Sequence, residues 1–224
     1  MTNFQRLPKS LTARAILKEY YQRSFYHFFT GFWSCVSSEP FVNSWHIEVL
    51  CNELQIIGER LFKRESSPYD LVVNVPPGMS KSSIFSILFP AWCWIKDPSL
   101  QIISASYESE LATDFAQDSR KKVIAAERYQ WLFGDLFEMR RDADAKRSYK
   151  NNRGGWRKTI GTKGHITGKH AHLFIIDDPM NPRSAESKAE REAVNGWLSE
   201  TVPSRKTGKA SVFILIMQRP HEDD

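Results

Sequence analysis

Residues 70–83 read DLVVNVPPGMSKSS, and the fold class turns on how this stretch is understood. Leu71-Val72-Val73-Asn74-Val75 is a short β-branched run suited to a buried strand. Pro76 and Pro77 end it, because proline has no N–H to give a sheet ladder. Gly78-Met79-Ser80-Lys81-Ser82 then turns the chain into Ile84, Phe85, Ile87 and Leu88, an apolar run that predicts a helix. Strand, tight loop, Lys-Ser and helix is the layout of a phosphate-binding loop. Loop amides and the helix N-terminus face the phosphates, lysine supplies charge, and a hydroxyl holds Mg²⁺. The usual pattern has glycine where this chain has Val75 and Ser80, so a plain strand-to-helix turn stays open as the alternative.

The rest of the chain bears on that choice. Its 224 residues are enough for one large domain, and 41% hydrophobic with 25% charged residues is ordinary for a soluble globular protein. The net charge of +5 is unevenly spread. Residues 140–169 hold ten Lys/Arg and two acids, a local +8 that leaves −3 elsewhere. Such a concentration suits a polyanionic partner, or simply a solvated loop. Cys35, Cys51 and Cys93 are odd in number and widely spaced among apolar neighbours, which fits buried free thiols in a reducing compartment. No signal-peptide segment opens the chain, and the longest apolar run, 84–95, is too short to cross a bilayer. An intracellular protein that does not enter a membrane is expected.

Residues 1–40 predict a helical extension rich in aromatics (Phe25, Tyr26, Phe28, Phe29, Phe32, Trp33), with residues 41–224 forming the main domain. A helix capped near Asn43-Ser44 carries Trp45, Ile47, Leu50, Leu54 and Ile57. The helix after the loop should bend or break at Pro90. Further buried strands are expected at 101–105, 173–176 and 212–216, with helices from Glu108 and over 186–198. Residues 140–170, punctuated by five glycines, suggest short twisted strands or a hairpin near 157–160. Strands alternating with helices mean an α/β fold with a mainly parallel central sheet and helices on both faces.

Ligands of such sheets gather at the carboxyl ends of the strands. There the sequence puts Lys81-Ser82, Ser104-Ala105-Ser106, Asp177-Asp178 and Gln218-Arg219. An acid pair after four apolar residues suits a nucleoside triphosphatase, Asp177 holding Mg²⁺ and Asp178 polarising the attacking water. The plainer reading is a turn opened by Asp-Pro. Gln218 could sense a γ-phosphate or be an ordinary turn residue. Trp45 and His46 could cover an adenine or pack as a helix face. For Arg120 a surface role is the default.

These stretches together resemble the ATPase domain of the large terminase subunit of tailed bacteriophages, a P-loop NTPase-type fold. The resemblance is carried by NVPPGMSKS (74–82), SASYESELATDFAQDSRKKV (104–123), GHITGKHAHLFIIDDP (164–179) and MQRPHEDD (217–224), in the family's order over about residues 40–224. It implies ATP and Mg²⁺ as cofactors, with Pro77, Gly78, Met79, Ser80, Lys81, Ser82 and Ser83 around the nucleotide and Trp45 and His46 near the base. It implies Ser82 and Asp177 at the metal, Asp178 as the catalytic carboxylate, and Gln218 in the motif coupling hydrolysis to DNA movement. Double-stranded DNA, the small terminase subunit, a portal or procapsid and a homo-oligomeric ring are the implied partners, in the bacterial host cytoplasm. Full members usually add an RNase H-type nuclease domain, which a sequence ending at Asp224 is expected to lack. Two departures stand out. Gly78 occupies the position of a family arginine, so Arg120, Arg219 or a neighbouring subunit must supply that charge. Ser80 replaces the loop's last glycine, which implies weakened hydrolysis and leaves a nucleotide-binding assembly module as the alternative.

Overall fold

A computed structural model describes residues 11–67, 69–164, 168–181 and 183–218. Seven strands form one sheet: β1 (Leu71–Asn74), β2 (Gln101–Ser106), β3 (Met139–Ala145), β4 (Ser148–Asn151), β5 (Trp156–Gly161), β6 (Leu173–Asp177) and β7 (Val212–Met217). Their order is β1-β7-β6-β2-β5-β4-β3. The first five in that order are parallel, and β4 and β3 extend the sheet as antiparallel strands. The parallel strands therefore end along one edge, where ligands of such sheets collect. The basic segment forms three strands rather than one hairpin. One of them, β5, lies beside β2 inside the parallel array.

One face of the sheet carries the larger core. Against it pack α1 (Leu11–Arg23), α2 (Phe25–Phe32), α3 (Trp45–Phe62), α4 (Phe89–Lys96), α5 (Ser109–Asp118) and α6 (Glu127–Phe133). The aromatics expected in the N-terminal extension are core residues: Phe25, Phe28, Phe29 and Phe32 are fully buried and share a cluster with β1, β6 and β7. Each such side chain contributes about 1.5–3 kcal/mol by leaving water. Polar ties fix the extension as well. The Trp92 indole donates to the Tyr21 carbonyl (2.9 Å), and Arg14 and Lys18 hold Asp135 at 3.0 and 2.6 Å. The other face is covered by α7 (Lys188–Gly196) and its continuation over residues 197–202, through Trp197, Leu198 and Val202 against Ile103, Phe174 and Leu215.

The helix after the loop does not break at Pro90. It runs on through α4, and its preceding turns, Ser83–Leu88, are π-helical, with the Phe89 N–H reaching the Ile84 carbonyl. Pro90 has no N–H for the carbonyl four residues back, and a local change to i→i+5 bonding is one way a helix absorbs that loss. Cys51 and Cys93 are buried and Cys35 is half-buried, all as free thiols; burial pushes the Cys93 thiol well up, with the nearby Asp97 charge adding to the shift. Among the described residues no helix is long and apolar enough to cross a membrane.

Candidate functional site

The loop between β1 and the helix starts with the Val75 N–H on the Met217 carbonyl (3.2 Å), which ties it to β7. Gly78 has φ +80° and Ser80 φ +57°, so two residues of this short loop are left-handed. Turns of this kind make concavities of backbone N–H groups suited to anions. Glycine is the natural residue at such angles. A Cβ at residue 78 would meet no atom within 4 Å, so backbone conformation rather than space is what calls for glycine there. Ser80 adopts the same region at a cost of about 1–2 kcal/mol. Helix geometry begins at Lys81, and the Ile84 N–H closes onto the Ser80 carbonyl (3.0 Å).

Lys81 is buried, and its Nζ donates to both oxygens of Asp178, at 2.7 Å to Oδ1 and 2.5 Å to Oδ2. The two residues are 97 apart in sequence. They meet because β1 and β6 flank β7, so the loop lies about 10 Å across the sheet from the end of β6. Asp178 also has φ +45°, a region that aspartate tolerates better than most residues. Its N–H donates to the Ile216 carbonyl (2.8 Å) and its carbonyl accepts from the Tyr107 N–H (3.1 Å). The Gln218 N–H donates to Asp178 Oδ1 (3.2 Å), which brings the end of β7 onto the same carboxylate. A cavity of about 240 Å³ opens beside Asp178 and Gln218, with Tyr107 on its wall.

Asp177, the last residue of β6, points into the helix-covered face. Its Oδ2 accepts from the Ser86 hydroxyl (2.9 Å), whereas Oδ1 is buried with no hydrogen-bond partner among the described residues. Burial pushes its carboxyl up; the nearby Ser82 and Ser86 hydroxyls pull the other way, and the Asp178 charge adds to the rise. A buried carboxylate oxygen left open beside the Ser82 hydroxyl suits a hard divalent cation. Mg²⁺ commonly keeps several waters and takes only one or two protein ligands in addition to phosphate. The residues fit that ion without a protein-only cage, and among the described residues no cluster of three or more His, Cys, Asp or Glu forms one.

Trp45 and His46 are the first two residues of α3, and among the described residues neither hydrogen-bonds to residues 76–83. Glu59 of α3 pairs with Lys96 of α4 (3.1 Å), and Gly58 abuts Trp92, so the two helices touch near the C-terminal end of α3. Trp45 is 78% exposed, and His46 Nδ1 shares a 2.8 Å hydrogen bond with the Ser44 hydroxyl. Met79 is exposed at the loop. Arg120 does not join the cluster. Its guanidinium lies 5.6 Å from the centre of the Tyr149 ring. By strand register Tyr149 is level with Ile102, roughly 13 Å down and 14 Å across the sheet from Asp177. Arg219 lies outside the described residues. Sequence reasoning does not single out Ser86 or Arg157. A serine four residues before Pro90 in an otherwise apolar helix is the available signal for the first.

A family described as "Terminase large subunit, T4likevirus-type, N-terminal" matches residues 73–224. The chain belongs to the terminase large subunit family. Among solved structures, the large terminase of bacteriophage HK97 shares the fold, with a TM-score of 0.53 at 12% identity over 88% of this chain. The chain spans 37% of the length of that terminase. No curated protein sequence matches it. The seven-stranded, mainly parallel sheet is thus part of a fold shared with a large terminase.

Proposed function

We propose that this terminase domain binds Mg²⁺-ATP at the ends of β1, β6 and β7 and hydrolyses it to drive movement of double-stranded DNA into a procapsid. The observation that carries this reading is the Lys81–Asp178 pair, which joins the phosphate-type loop to the acid strand. Mg²⁺, when bound, neutralises phosphate charge and helps orient the transferred group. The residues present would divide the remaining work. Residues 76–83 would cradle the phosphates through backbone N–H groups, and Ser82 and Asp177 would hold the metal. Lys81 would exchange Asp178 for phosphate oxygens, which frees the Asp178 carboxylate to accept a hydrogen bond from the attacking water. Because the Gln218 N–H donates to that same carboxylate, the change would be felt at once by the end of β7, where a motor needs its coupling element.

DNA would be held through its phosphates by basic residues of the β3–β4 edge, among which Arg141, Lys146, Arg147 and Arg153 are exposed. The small terminase subunit, the portal and a ring of copies complete the reading, in the host cytoplasm. Within such a ring the arginine absent at Gly78 would come from a neighbour. Ser80, a non-glycine at φ +57°, favours a second reading in which the chain binds nucleotide for assembly and turns it over slowly or not at all. DNA-stimulated phosphate release separates the two. Wild-type turnover that is lost in Lys81→Ala and Asp178→Asn supports the motor. Nucleotide binding without turnover, with DNA and small subunit present, supports the assembly module, and variants as active as wild type would refute the site.

A further inference from the structure

Of the ten basic residues between 140 and 169, Arg157 alone is buried, at 1% exposure. It is a β5 residue on the helix-covered face, and its guanidinium reaches beneath β2 toward the loop helix. Nε donates to the Ser104 hydroxyl of β2 (3.0 Å) and Nη2 to the Ser86 carbonyl (2.7 Å). Among the described residues Nη1 is buried with no hydrogen-bond partner and no carboxylate forms an ion pair with this side chain, whose charge is felt by the nearby Tyr149 hydroxyl. Burying a charge without a counter-ion costs several kcal/mol in proteins. Hydrophobic filling would be the more stable use of the space.

What Arg157 holds explains its presence. In an α-helix the Ser86 carbonyl would accept from residue 90, which is proline and has no N–H. Arg157 gives that carbonyl a charged donor in the π-helical turn. The hydroxyl of the same serine donates to Asp177 Oδ2 and leaves Oδ1 open. We propose that Arg157 is a positioning residue for the metal-binding carboxylate, acting through Ser86. The planar fork ties β2 and the loop helix together at fixed geometry, which a lysine's single rotating ammonium cannot reproduce. This inference rests on the Mg²⁺-nucleotide reading above.

Partners one step removed from a metal ligand typically change metal affinity 10–100-fold when removed. The test measures the Mg²⁺ concentration giving half-maximal binding of a fluorescent, non-hydrolysable ATP analogue, beside the analogue's affinity in EDTA and the melting temperature. Arg157→Met and Ser86→Ala should each raise the half-point about 10–100-fold with the EDTA affinity unchanged. The double variant should be no worse than the worse single variant, and Arg157→Lys should fall between wild type and Arg157→Met. Equal losses with and without Mg²⁺, or an unmoved half-point in Arg157→Met, would overturn the proposal. If Arg157→Met fails to fold, Arg157→Lys decides: an unmoved half-point refutes it and a raised one supports it. A wild-type protein that binds the analogue without Mg²⁺ dependence would overturn the nucleotide reading, and this inference with it. Intact wild-type dependence with unresponsive variants would remove this inference alone.

Discussion

The two left-handed residues of the loop should respond to substitution in opposite directions. Gly78 (φ +80°) and Ser80 (φ +57°) occupy the same backbone region, but one has no Cβ and the other does. A left-handed conformation costs an L-residue about 1–2 kcal/mol. Ser80→Gly removes that strain, less the roughly 0.5–1 kcal/mol by which glycine's freedom favours the unfolded chain. Gly78→Ala introduces the strain, less the roughly 0.4–1 kcal/mol gained by restricting the unfolded chain. Since an added Cβ at residue 78 meets nothing within 4 Å, no clash contributes. Each substitution should therefore change stability by about 0.5–1 kcal/mol, with Ser80→Gly stabilising and Gly78→Ala destabilising. For a domain of this size that is about 1–4 °C of melting temperature in each direction. The assay is paired thermal and urea unfolding of the nucleotide-free protein. A fall in melting temperature for Ser80→Gly, or a rise for Gly78→Ala, would refute the assigned loop conformation. Gly78→Arg, which restores the family's residue, should behave like Gly78→Ala, so the family arginine cannot be reinstated here without loop strain.

Three further outcomes are expected. Asp177→Asn should raise the melting temperature of the nucleotide-free protein at neutral pH while abolishing Mg²⁺-dependent nucleotide binding. Its carboxyl is raised by burial, so the protonated form stabilises the fold fully below the unfolded pKa, and that contribution is lost as pH rises through the folded one; an Asp177→Asn protein less stable than wild type at pH 7 would count against this. Lys81→Met and Asp178→Asn should each cost about 1–3 kcal/mol in urea unfolding without nucleotide, and a double-mutant cycle should show coupling, because each single variant strands a largely buried partner; strictly additive losses would argue against the pair. Arg141→Glu with Lys146→Glu should weaken DNA binding and reduce the slope of log K against log salt by about 0.9 for each phosphate no longer neutralised, measured by fluorescence anisotropy over a salt series.

Much of this arrangement can be read from residue order alone, for a physical reason. Buried parallel strands are continuous apolar runs, and 71–75, 101–105, 173–176 and 212–216 each fall within a residue of β1, β2, β6 and β7. Strand ends then name the site, because an acid pair and a lysine at carboxyl ends converge once the strands are parallel. The β3–β4 edge is harder to see. Met139–Ala145 is MRRDADA, with no apolar alternation, since an exposed edge strand has no hydrophobic face to declare itself. Arg120, at the end of the helix following β2, is a candidate only because family resemblance offers it. A helix that runs down from the strand ends carries its later residues away from them, and Tyr149 receives it at the far side.

Pro90 and Arg157 show how two residues that mislead in the sequence can be one feature of the fold. From sequence, Pro90 predicts a bend or break in the loop helix, and Arg157 counts as one more charge in a basic segment. Arginine is almost never fully buried without a partner, so no pattern argument would bury it. In the fold the two meet at one carbonyl: Pro90 has no N–H to serve as the α-helical donor to Ser86, and Arg157 donates to that carbonyl from β5. The helix therefore stays continuous beneath the phosphate-type loop, and a charge subtracted from the outer surface is placed one side chain away from Asp177. The basic segment thus contributes to two ends of the molecule at once. On the proposed reading its exposed members would contact DNA phosphates through salt-sensitive contacts, whereas Arg157 should leave the salt slope of DNA binding unchanged.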